Sequence, residues 1–231
     1  IPFLIPFLFA MAIGPKLKWI KSNLENKLFL IIFFIISLFL SISITRNFNS
    51  SFLINTVLIT AAFYLFLITL RDFVIDEFKN LSQTIAHFGF SLLILSILLN
   101  NIFSTEIITN LKIGETYRSE KFNINFEKIE QQNKQNFKSI TGKFNIKNSN
   151  GTNEVLNPEL RIYNQPNIVT SEADIKTNIL TDKFMTMNLV QNQEYFNIRY
   201  QIKPFMIWIW FSVLLISFSG LISLVKKRNE N

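Results

Sequence analysis

Apolar positions follow two rhythms along this chain. Up to residue 103, and again from residue 205, they form nearly unbroken runs. Between those limits they alternate with polar residues. Four runs are long enough to cross a bilayer as helices: 28–44, 52–70, 84–103 and 205–225. The third has twenty residues, which at about 1.5 Å rise each cover about 30 Å, the thickness of a hydrocarbon core. The opening stretch, IPFLIPFLFAMAIGP, has no charged region before it and no small-residue cleavage site, so it is a poor signal peptide. Over 1–13 it reads instead as the end of a further span that begins before Ile1. The following Gly14-Pro15 reads as a helix stop, with Trp19 at the membrane interface.

Residues 104–203 predict a small antiparallel β domain. Phe122, Ile124 and Phe126 alternate with Asn123 and Asn125, and Phe144 and Ile146 continue the pattern. Phe196, Ile198, Tyr200 and Ile202 alternate with Asn197, Arg199 and Gln201. Asn150-Gly151 is a hairpin signal, because both residues tolerate positive φ. A sandwich or barrel of six to eight short strands fits this pattern, with a short helix near 171–175. The fold class expected is therefore an integral membrane α-helical bundle with an inserted extracytoplasmic antiparallel β domain. Its parts are 1–103, 104–203, and a C-terminal helix with a basic tail over 204–231.

Composition agrees with a membrane protein: 49% of the 231 residues are hydrophobic and the mean hydropathy is +0.28. The net charge of +7 does not point to nucleic acid, because the basic residues flank the apolar runs. Lys16, Lys18, Lys21 and Lys27 share one loop, and Lys226, Lys227 and Arg228 form the tail. The positive-inside rule then places the loops at 14–27 and 71–83, with the C-terminus, on the cytoplasmic side, and puts 104–203 outside. Cysteine is absent, which excludes disulfides, a thiol nucleophile and an iron–sulfur cluster held by this chain. A single histidine excludes a histidine cluster for metal within the chain. No GxGxxG, P-loop, HExxH or GxSxG occurs.

That single histidine, His87, lies inside the third apolar run, about one turn from its cytoplasmic end. An ionisable group there is costly and is a functional candidate by default. Its imidazole can ligate a metal or haem iron, carry a proton, or bond a neighbouring helix as packing glue. Gln83, Thr84, Phe90 and Ser91 share its helix face. Gln83 or a backbone carbonyl can accept one ring N–H and free the other nitrogen, while Phe90 and Ile94 offer an apolar wall suited to a porphyrin or to another helix. Near the end of the chain, RYQIKPFMIWIW reads as a membrane anchor. Trp208 and Trp210 belong to an aromatic belt, Lys203 snorkels, and Pro204 suits the first position of a helix. The acidic residues of the β domain, among them Glu115, Glu159, Glu172 and Asp174, are interleaved with Lys and Arg as on a solvated charged surface.

Several stretches together resemble the C-terminal part of the cytochrome c-type biogenesis protein CcmF and nitrite-reductase haem lyase subunit family. They are GPKLKW (14–19), LRD (70–72), AHFGFSLLILSI (86–97), NPELRIY (157–163), TSEADI (170–175) and YQIKPFMIWIW (200–210). The stretch TDKFMTM (181–187) departs from the family wording while keeping its spacing. The resemblance implies part of a haem lyase of the bacterial cytoplasmic membrane, which attaches haem to the CxxCH cysteines of apocytochrome c. The implied partners are a CcmE-like haem chaperone, CcmH- and CcmI-like apocytochrome handlers, and quinol as electron source, with no nucleic acid. It further implies that His87, in its AHxG setting, is an axial ligand of a haem b. The second ligand, the tryptophan-rich motif and the outer-face histidines are expected before Ile1, so this stretch alone is expected to be inactive and supplies no catalytic residue. A reading of another class is a non-catalytic membrane assembly or sensor protein with an outer β domain and His87 as packing glue.

Overall fold

The structure, a computed structural model, describes residues 3–16, 28–46, 52–75, 81–149, 151–190 and 194–230. The chain forms two compact units, residues 1–101 with 208–231, and residues 102–207. The basic loop expected at 14–27 lies outside the described residues from residue 17 onward.

The helical unit contains α1 (Leu4–Ile13), α2 (Leu28–Thr45), α3 (Phe52–Ile75), α4 (Leu81–Phe103) and α5 (Met206–Glu230). The last four are each long and apolar enough to cross a membrane. Helices α3 and α4 run further than the apolar runs suggested, so Arg71 and Asp72 end a helix and Ser82 and Gln83 begin one. The loop expected at 71–83 is correspondingly shorter. Arg71 remains at the end of α3 because its guanidinium lies 4.0 Å from the Phe29 ring centre and 3.5 Å from Asp72.

Helix α3 carries most of the buried apolar side chains of this unit, including Leu58, Ala61, Ala62, Leu65 and Ile68. Helices α1 and α2 pack on it, with Phe9, Phe34 and Tyr64 in mutual ring contact. Helices in lipid gain nothing from hiding apolar surface from water, so packing and buried hydroxyl bonds must join them. Ser41 bonds Thr60 at 2.5 Å, Thr45 bonds Thr56 at 2.8 Å, and Thr69 bonds Ser91 at 2.7 Å. The first two pairs fasten α2 to α3, and the third fastens α3 to α4.

The second unit is a β-sandwich. Its first sheet has the order β1 (Thr105–Leu111), β10 (Phe196–Pro204), β9 (Thr181–Leu189), β8 (Asp174–Thr177). The second has the order β2 (Thr116–Arg118), β3 (Phe122–Asn133), β4 (Phe137–Asn148), β6 (Glu159–Tyr163), β7 (Val169–Glu172). Strand β5 (Asn153–Leu156) also pairs with β4. Among the described residues ten strands form where six to eight were expected, because three- and four-residue strands leave no alternation to read. The expected helix near 171–175 is β7 and β8. The chain changes sheets there, at Ala173.

The predicted alternation does set the core. Phe122, Ile124, Phe126, Phe144, Ile146, Ile198 and Tyr200 all point between the sheets. Phe126 stacks on Phe144 with ring centres 4.3 Å apart, and Phe196 meets Phe126 edge-on at 5.5 Å. The Gly151 turn forms as the hairpin signal indicated, with φ of 81° and its N–H donating to the Asn148 carbonyl.

Three irregularities lie close together in the second sheet. Strand β3 changes register between Phe126 and Lys128. Gly142 of β4 donates to the Pro158 carbonyl, and Asn157-Pro158 separates β5 from β6. A side chain at 142 has no room, because a Cβ there would lie 2.7 Å from Phe144 Cε2 and 2.8 Å from Met187 Sδ. A bulge, a glycine and a proline break are the usual means of curving a sheet.

Candidate functional site in the membrane helices

His87 sits six residues into α4, about 9 Å along the axis at about 1.5 Å per residue. This is deeper than the apolar run alone implied. At about 100° per residue it lies about 40° around the helix from Ser91 and about 60° from Phe90. Ser91 faces α3 through its bond to Thr69, and Phe90 meets Phe7 of α1 edge-on at 6.2 Å. His87 is half-buried between these two faces.

Among the described residues the imidazole makes no hydrogen bond, so the suggested Gln83 contact is absent. Neither ring nitrogen belongs to the sealed, unpartnered side-chain atoms. Phe90 and Ile94, read as a wall for either a porphyrin or a helix, pack with α1 and α3. Phe88 stacks on Phe73 at 5.2 Å and leans on Phe66 at 5.8 Å, which anchors α4 beside the histidine. A lone imidazole of this kind, apolar-flanked and with free nitrogens, suits a ligand of a planar metal cofactor arriving from outside the helix.

The glycine of the AHFG stretch serves the opposite side of α4. A Cβ on Gly89 would meet Ile216 Cγ1 at 3.0 Å and the Ser212 carbonyl at 3.2 Å. Two turns toward the start of α4, Ser82 and Ser219 exchange hydroxyl-to-carbonyl bonds at 2.8 and 2.6 Å. The reading of single residues missed these small contacts. Their signal was present as serines and threonines four apart in apolar helices, such as Ser37, Ser41 and Thr45.

The NPELRIY and TSEADI stretches form one local structure. Glu159 pairs in register with Glu172, and Arg161 with Thr170. Asp174 Oδ2 accepts the Asn157 N–H at 2.6 Å. Arg161 donates to Glu159 at 3.0 Å and lies 4.0 Å from Glu172. The guanidinium beside Glu159 holds that carboxyl below its ordinary range. These acidic groups therefore fasten strand ends as well as meeting solvent. In YQIKPFMIWIW, Pro204 ends β10 opposite Thr181 and does not open the helix. Phe205 follows with φ of 62°, and α5 starts at Met206.

Residues 102–204 match the family model described as the CcmF C-terminal beta-sandwich. Over 97% of its length the chain is 23% identical to the cytochrome c-type biogenesis protein CcmF of Escherichia coli (strain K12), covering 36% of that protein. The chain is similar to the C-terminal part of CcmF. The Pseudomonas fluorescens CcmF is 28% identical over 62% of the chain and 22% of its own length. A solved structure titled "Cytochrome c Heme Lyase CcmF" shares the fold, with a TM-score of 0.67 at 16% identity over 95% of this chain and 38% of that one. The chain thus spans about a third or less of these CcmF relatives. With four membrane-length helices among its described residues, it is a multi-pass membrane protein.

Proposed function

We propose that this chain works as part of a haem lyase in cytochrome c maturation, and that His87 is an axial ligand of a membrane haem b. The supporting observation is the state of His87. It is the single histidine of the chain, sits deep in an apolar helix, and has both ring nitrogens free among the described residues. An imidazole acting as packing glue would bond a neighbouring helix, and His87 bonds none among the described residues. The role of the haem would be to pass electrons, supplied by quinol, toward the haem being attached. The chain's own residues would hold α4 in place, with Ser91 and Phe88 against α3 and Gly89 against α5. A second imidazole ligand would come from outside this sequence.

In this reading the β-sandwich lies on the outer side of a bacterial cytoplasmic membrane. A CcmE-like chaperone delivers haem there, and CcmH- and CcmI-like proteins present apocytochrome c. The test is His87→Ala in the complete assembly. The reduced low-spin haem b spectrum should be lost or shifted and cytochrome c yield should fall, with partial spectral recovery in His87→Gly supplied with imidazole. An unchanged spectrum in His87→Ala would reject the ligand assignment.

A further inference from the structure

We infer that the β8–β9 turn, residues 178–181, is a lipid-inserted foot of the β-sandwich. Both connections of this unit to membrane helices leave from one end. Helix α4 ends at Phe103, one residue before Thr105 is reached through Ser104, and Thr105 pairs directly with Ile202. Helix α5 starts at Met206, just after Pro204, and its apolar stretch begins with it. The bilayer boundary therefore falls at Phe103 and Met206. The β8–β9 turn lies at the same end of the sandwich, because Thr181 pairs with Pro204 and the Phe205 N–H donates to the Leu180 carbonyl at 2.8 Å.

At its tip the turn carries two large apolar side chains, Ile179 at 68% and Leu180 at 60% exposure. A turn in water does not need such residues, and turns ordinarily carry polar ones. Its backbone is also prepared for a medium without water. Asn178 Oδ1 accepts from the N–H of Leu180 at 2.9 Å, the N–H of Thr181 at 2.8 Å and the Thr181 hydroxyl at 3.2 Å. The Asn178 N–H donates to the Thr181 carbonyl. Backbone groups already bonded in this way lose little on leaving water for the lipid boundary. The occupant of this apolar tip is thus the acyl-chain boundary of the bilayer, and the turn fixes the height of the sandwich above it.

The chain has no cysteine, so single substitutions give single labels. Ile179→Cys, Leu180→Cys and Ile113→Cys would each be labelled with a small fluorophore. The full chain would be placed in nanodiscs of phosphatidylcholine and phosphatidylglycerol carrying a spin label high on the acyl chain. Ile113 is the matched control: it is also exposed and apolar, but lies beyond the far end of β1. Lipid quenching should be several-fold stronger at 179 and 180 than at 113, and iodide quenching should show the reverse order. Equal iodide quenching at all three positions would overturn the inference. Quenching by neither reagent at 179 and 180 would overturn it as well, since protein would then cover the turn.

Discussion

Ser82 of α4 and Ser219 of α5 are 137 residues apart in sequence, and each hydroxyl donates to the other's backbone carbonyl. Seven residues further along each helix in opposite directions, Gly89 lies against the Ser212 carbonyl. The two contacts give the antiparallel register of these helices. Each hydroxyl bond inside a membrane contributes about 0.6 kcal/mol. The double variant Ser82→Ala, Ser219→Ala should therefore lower stability by about 1 kcal/mol. Gly89→Leu should do more, because no side-chain movement restores the close approach. Unfolding of the reconstituted chain measures both, and equal effects would show that register does not depend on the glycine.

Gly142 offers a sharper test in the β-sandwich. A methyl group there would press on both Phe144 and Met187, one from each sheet. Overpacking of this kind costs about 1–3 kcal/mol. Gly142→Ala should lower the melting temperature of the domain. Met187 is a buried core residue, so Met187→Ala costs about 2–5 kcal/mol by itself, and the loss in Gly142→Ala, Met187→Ala should be smaller than the sum of the two single losses. Additive losses would place the cause in the backbone and not in the contact with Met187.

Tyr200 gives a pH dependence. Its ring lies edge-on to Phe122 at 5.1 Å, and its hydroxyl is sealed with no hydrogen-bond partner. Burial, with a smaller contribution from the Glu154 charge, pushes its pKa above the ordinary tyrosine value of 10.0. Below about pH 10 both folded and unfolded states keep the proton and stability does not change. Above it the unfolded chain ionises first, so stability falls as pH rises. Tyr200→Phe should remove this alkaline loss and, by deleting an unbonded hydroxyl, leave neutral-pH stability the same or up to about 1 kcal/mol higher. Thermal melts at pH 7 and 10.5 compare the two chains; an unchanged alkaline loss would assign it elsewhere.

Orientation is checked by labelling. In the proposed orientation, for which the charges flanking the apolar runs argue, the sandwich is outside and the tail inside. Asn110→Cys should react with an impermeant thiol reagent added to intact cells, and Asn229→Cys should react only after lysis. The opposite pattern would invert the proposed placement of the sandwich.

The sequence by itself determined which stretches form long apolar helices, that a β-sandwich is inserted among them, and which faces of β3, β4 and β10 form its core. Burial imposes a repeat of two on a strand and a length of about twenty residues on a span, and both are written locally. It also singled out His87, because one ionisable group in an apolar run stands out without any partner being known. Tertiary structure alone decided the pairings. Serine and threonine hydroxyls carry no indication of which helix they bond, so Ser82 could not be matched to Ser219. Residues 171–175 have polar residues that suit a helix start, yet β6 and β9 offered edges on two different sheets and drew them into strands. Pro204 fits a first helical turn as well as a strand end, and the Phe205 bond to Leu180 settled it as a strand end. That bond joins residues 25 apart, so Leu180 and Phe205 come together only once β9 and β10 have paired.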